Sequence, residues 1–146
     1  MANLPVLFEI QLNAPVTFCF EWLTDYQPTD KDINPGLSKR TVVERTAEHV
    51  KIIDESMGTP YNRRTSTITL HRPDAWDAEA KGTIYDYDLH YRLTAEGRGS
   101  RLIISGVTRT KPMCPFKTRG ENDARFTKAW PLYKAALEAD YAASNR

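Results

Sequence analysis

No stretch of this chain approaches the roughly 18 consecutive apolar residues that a membrane-spanning helix needs. The opening Met1-Ala2-Asn3 lacks a basic cluster, and Glu9 and Gln11 interrupt the apolar residues that follow, so the pattern of a secretory leader is missing. Cysteine is scarce. Cys19 and Cys114 fall in unrelated contexts without Cys-x-x-Cys spacing, which suggests a reducing compartment and no structural metal. Charge of one sign is not in excess either: 27% of the 146 residues are charged, yet the net charge is +1. So balanced a chain offers no electrostatic footprint for nucleic acid or an anionic membrane surface. Arg63-Arg64 and Lys39-Arg40 read as isolated pairs at solvated strand ends. The expectation is a soluble, cytoplasmic protein of one domain, residues 1–146, with no membrane insertion and a core of useful size.

Motifs that carry chemistry are equally sparse. There is no Gly-x-Ser-x-Gly elbow, no Gly-x-Gly-x-x-Gly turn and no Gly-Lys-Ser/Thr loop. Gly97-Arg98-Gly99 is a hairpin turn, because no helix follows it to cradle a phosphate. His49, His71 and His90 fall on separate strands with no Glu-x-x-His or His-x-His spacing, and His71 and His90 sit on outward faces. Asp25, Asp30 and Asp32 lack the glycine and closing glutamate of a calcium loop and read as turn and cap residues. No metal and no cofactor is expected, and no catalytic residue can be named.

What the chain does contain is a long amphipathic segment, Glu121 to Ser144. Phe126, Trp130, Tyr133, Leu137 and Tyr141 recur at steps of three and four and form one stripe, which Ala129, Leu132 and Ala136 widen. Arg125, Lys128, Lys134 and Glu138 take the opposite side. Asn122 is placed to cap the helix, and Asp123 to meet its positive end. Such a helix needs an apolar surface to lie against. Pro131 interrupts it, which predicts a bend. The bend either follows a twisted sheet or opens a gap beneath the first half of the helix.

The remaining residues build that surface. Residues 4–13 alternate, with Val6, Phe8, Ile10 and Leu12 on one side, and predict a half-buried strand. Asn13-Ala14-Pro15 starts a short helix over 15–25 whose face is Val16, Cys19, Phe20 and Leu23, so Cys19 reads as a buried, inert thiol. A polar connector over 26–37 has room for a helical turn. Strands follow at 38–46, 49–57, 61–71, 75–80, 83–95 and 100–111, with turns at Ala47-Glu48, Gly58-Thr59-Pro60, Arg72-Pro73-Asp74 and Gly97-Arg98-Gly99. The inward face of 102–108 stays open, since hairpin register is ambiguous there. Lys111 to Phe116 is a proline-bounded loop leading to the long helix. The fold class is α+β: seven antiparallel strands in a curved sheet around the C-terminal helix, with one or two short helices between strands 1 and 2.

This order, and the stretches Asn13-Ala14-Pro15, Leu23-Thr24-Asp25 and Arg101-Leu102-Ile103-Ile104-Ser105-Gly106, resemble the START-like (SRPBCC) helix-grip superfamily, which includes Bet v 1 and polyketide cyclase/dehydrase-type proteins. The resemblance implies a deep pocket between sheet and long helix, used for lipids, polyketides or other apolar ligands, and implies no particular catalytic residue.

The residues themselves carry a compatible reading. Tyr85, Tyr87 and Tyr91 share one strand face with Leu89 and Leu93. Three phenols there suit either a cavity with polar anchors or rings whose tips reach the sheet rim. The parity that turns Ile68 inward also turns in Asn62, Arg64 and Ser66. An inward Arg64 needs an acid or an anionic ligand, unless a bulge returns it to solvent. The expected ligand site is Phe20, Arg64, Ser66, Ile68, Tyr85, Tyr87, Tyr91, Phe126, Trp130 and Tyr133. Its partner would be a small hydrophobic or amphipathic molecule: a lipid, polyketide or aromatic. The alternatives are a cyclase or dehydratase acting in the same cavity, or a protein-interaction module whose cavity has collapsed.

Overall fold

Seven strands and two helices make up the computed structural model, which describes residues 2–58 and 61–145. In chain order they are β1 (Ala2–Leu12), α1 (Val16–Leu23), a 3₁₀ turn (Pro28–Asp32), β2 (Lys39–Arg45), β3 (His49–Ser56), β4 (Asn62–His71), β5 (Ala75–Gly82), β6 (Tyr85–Glu96), β7 (Gly99–Thr110) and α2 (Arg119–Ser144). Thr59 and Pro60 of the expected turn lie outside the described residues.

All strand pairs are antiparallel, in the order β1-β7-β6-β5-β4-β3-β2. Each hairpin joins sequence neighbours from β2 to β7, and β1 closes on β7 from Ala2↔Thr110 to Leu12↔Ser100. That register resolves the face of β7: Ser100, Leu102, Ile104 and Thr108 point inward and are fully buried. Position 106 shares their parity and is glycine with φ 142°, because a Cβ there would meet the backbone of Asp88 on β6. On β2 a bulge between Val42 and Glu44 leaves Val43 facing water.

α2 runs unbroken through Pro131, whose ring is exposed. Its two halves meet different surroundings. In the C-terminal half Leu137 is completely buried, Tyr141 packs on Phe18 of α1 at 4.9 Å between centroids, and Trp22 Nε1 donates to Asp140 at 2.7 Å. Lys134 donates to the Gln11 carbonyl at 2.6 Å, and Glu138 accepts from the Asn13 N–H at 2.7 Å, so two residues expected on the water side pin α2 to β1. Leu132, expected in the apolar stripe, is 42% exposed, since the stripe is narrower than the heptad pattern suggests. The N-cap is Thr118, whose side chain accepts from the Glu121 N–H. Asn122 lies inside the first turn and is buried; it caps nothing. The helix starts two residues earlier than expected, with Gly120 tolerated in its first turn.

Candidate functional site

The N-terminal half of α2 touches the sheet at β1 and β7, where Phe126 stacks on Phe8 at 5.9 Å, but stands off from the inner face of β3 to β6. Helix and sheet enclose there a cavity of about 550 Å³, within the range of pockets that hold small organic molecules. Its floor is the inner face of β3 to β6. Its roof is α2 from Arg125 to Tyr133, and its ends are the connector around Asn34 and the loop at Pro115-Phe116.

The period-2 alternation of β6 places Tyr85, Tyr87, Leu89 and Tyr91 along one wall. Tyr91 stacks on Trp76 of β5, 4.9 Å apart and 6° from parallel, and faces Trp130 of α2 at 6.5 Å. Tyr133 extends the aromatic wall, 5.3 Å from Trp130, and its hydroxyl accepts from Asn34 Nδ2 at 3.3 Å. Tyr87 shares a 3.1 Å hydrogen bond with Ser66. Burial pushes the phenols of Tyr26, Tyr87, Tyr91 and Tyr133 above their ordinary value, so all four are neutral hydrogen-bonding groups near pH 7.

β4 pairs with β3 without a bulge, so Arg64 is not returned to solvent. It enters the cavity, 5.5 Å from the Tyr85 ring centroid. Its stem lies against Gly82 on β5, where a Cβ would stand 2.9 Å from Arg64 Cγ. Burial works against its charge, but the electrostatic influence of Tyr85 and Tyr87, felt when those phenols ionise, and of the Asp54 carboxylate raises its pKa. Among the described residues no side chain makes a hydrogen bond or ion pair with its guanidinium.

Asp54 is the cross-strand partner of Arg64 but is engaged elsewhere. Arg40 grips it through both carboxylate oxygens and takes Asp30 at 2.5 Å as well. Asp30, read from sequence as a turn residue, and Arg40, read as solvated, thus form with Asp54 a largely buried ionic group, because the β2–β3 register sets Arg40 opposite a carboxylate. Tyr26 lies under the Arg40 guanidinium at 5.3 Å with φ 46°, a left-handed backbone that costs a non-glycine residue about 1–3 kcal/mol.

Eight of the ten expected site residues line this space: Arg64, Ile68, Tyr85, Tyr87, Tyr91, Phe126, Trp130 and Tyr133. Two do not. Phe20 packs edge-on behind Trp76 at 5.8 Å, and Ser66 lies behind the Tyr87 hydroxyl. The larger residue stands in front in both cases. Trp76, Tyr26, Arg40, Asp54 and Phe116 line the cavity without having been expected there. Trp76 was within reach of sequence reasoning, since its β5 parity matches Ala78 and Ala80. Arg125 is the larger correction. Assigned to the water side, it lies among four rings, 4.6 Å from the Phe126 centroid and 5.0 Å from Tyr85, and donates to Thr108 Oγ1 at 3.0 Å. Its guanidinium stacks on rings, which sequence periodicity treats only as a charge.

On the outer face of the sheet, Asp77 joins His71 at 2.8 Å and His90 at 2.6 Å, in the open as their strand parity predicts. Cys19 and Cys114 are both buried and free. Burial raises the Cys19 thiol, which keeps it protonated. No described helix is long and apolar enough to cross a membrane.

No family model matches the chain, and no curated protein matches it. Solved structures do. The Zhui aromatase/cyclase from Streptomyces sp. R1128 is 16% identical, with a TM-score of 0.77 over 99% of this chain and 97% of that one. A START superfamily protein from Mycobacterium smegmatis is 10% identical, with a TM-score of 0.71 over 94% and 97%. Ara h 8.0201 is 14% identical, with a TM-score of 0.72 over 97% and 99%. At such identities the likeness is one of fold. The architecture is the helix-grip fold that the sequence resemblance implied, an α+β arrangement with a curved antiparallel sheet and a long C-terminal helix.

Proposed function

We propose that this protein binds a small hydrophobic or amphipathic molecule in the cavity between the sheet and α2. The apolar body would lie against Trp76, Tyr91, Trp130 and Tyr133, and the polar end would meet Arg64. The observation that carries this reading is a cavity of about 550 Å³ containing a guanidinium with no acid partner among the described residues. A sealed core would fill the volume or pair the charge, because unfilled space and unpaired buried charge both cost stability. The similar folds of a cyclase and a START protein agree with a ligand-holding role without specifying a ligand.

Acid–base chemistry in the same cavity would need a free proton carrier near Arg64. The wall carboxylates Asp30 and Asp54 are both committed to Arg40, which favours binding over catalysis.

The test is solvent extraction of the purified protein with mass spectrometry of what is released, alongside thermal melts across a panel of lipids and aromatic acids. A bound molecule stabilises the fold by about 2.7 kcal/mol at a hundred times its Kd, a readily measured rise in melting temperature. An empty extract together with no shift across the panel would contradict the proposal.

A further inference from the structure

We infer that the ligand is an acid bound as its carboxylate, with the head at the Tyr85 end of the cavity between Arg64 and Arg125; this rests on the binding role proposed above.

The cavity is electrically lopsided. Its carboxylates, Asp30 and Asp54, are both held by Arg40; Asp54 neighbours Arg64 across β3 and β4 but forms no ion pair with it. Arg64, Arg125 and Lys128 also line it, and among the described residues none of them has an acid partner. Two of these converge. Arg64 from β4 and Arg125 from α2 both reach the ring of Tyr85, at 5.5 and 5.0 Å from its centroid. Arg125 is further enclosed by Tyr87, Phe116 and Phe126. It donates to Thr108 Oγ1, while its Nε is buried without an acceptor.

Ring faces and one hydroxyl compensate a buried guanidinium only in part. An anionic group at Tyr85 would lie in the field of both cations, in surroundings where water screens little. The planar fork of arginine suits a carboxylate. The opposite end favours an apolar body: from Tyr85 to Tyr91 is six residues of strand, about 20 Å at roughly 3.4 Å per residue, and ends between Trp76 and Trp130. The cavity therefore reads as head and tail, with two cations lacking acid partners among the rings at the Tyr85 end and Trp76, Tyr91 and Trp130 at the other.

The proposal is tested by calorimetric titration with two matched pairs: decanoate against decanol, and 2-naphthoate against 2-naphthylmethanol. At least one acid is expected to bind about tenfold or more tightly than its neutral partner, the scale of a charge-assisted hydrogen bond. Arg64→Met and Arg125→Met should each remove most of that preference, with the alcohol still bound. The alcohol thereby reports an intact cavity, and Arg125→Gln provides a second variant should the methionine change the packing. If acids and alcohols bind alike, or Arg125→Met and Arg125→Gln both leave acid binding untouched, the acid assignment fails while the binding role stands. If none of the four probes binds, the acid assignment falls, and extraction with the thermal melts decides the binding role by itself.

Discussion

Arg40 holds Asp54 by two parallel contacts, Nε to Oδ1 at 2.8 Å and Nη2 to Oδ2 at 3.1 Å, with both side chains more than nine-tenths buried. They face each other across β2 and β3 in register. Removing one partner strands a charge inside the protein. Arg40→Met, which leaves both Asp54 and Asp30 without their cation, should cost about 3–5 kcal/mol in urea unfolding, whereas replacing all three, as in Arg40→Met with Asp54→Leu and Asp30→Asn, should recover most of it.

Gly106 carries a second constraint. Its φ is 142°, and a Cβ would stand 2.0 Å from the Asp88 carbonyl oxygen. Gly106→Ala should therefore lose about 3 kcal/mol or more of stability, seen as a large drop in melting temperature.

The two leucines of the α2 stripe should separate clearly. Leu137 is fully buried, so Leu137→Ala should cost about 2–5 kcal/mol. Leu132 is 42% exposed, and Leu132→Ala should stay within about 0.5 kcal/mol of the parent by denaturant titration.

These residues also show what the sequence made legible. Period-2 alternation places Tyr85, Tyr87 and Tyr91 on one face and turns Arg64 inward, because parity is local information. The turn residues between strands bound them to within about two residues. What failed depended on distant partners. Arg40 with Asp54 needs the β2–β3 register, which no spacing reveals. Arg125 was assigned to water because a cation on a helix is ordinarily solvated; its position depends on rings brought in from β6 and the 115–116 loop. Phe20 and Trp76 exchanged roles because sequence periodicity gives a face but not which of two layers on that face stands in front.

Acid should weaken the seam between α2 and β1. Lys134 and the Asn13 N–H favour the Glu138 carboxylate, which overcomes the opposing effect of burial and holds its pKa below the ordinary 4.5. A folded-state pKa below the unfolded one means the stabilisation is present above that ordinary value and is lost as pH falls through the folded value. Glu138→Gln should accordingly show a shallower loss of stability than the parent between about pH 5 and pH 3, measured by unfolding at several pH values.

The central claim is that open volume remains under the first half of α2, and Ala129, whose side chain lies on the cavity wall, tests it most directly. The measurement is the unfolding free energy of Ala129→Phe against the parent. With the space open, the ring enters it and stability changes by less than about 1 kcal/mol or rises; a loss of about 1–3 kcal/mol or more, the usual cost of overfilling a packed core, would contradict the account.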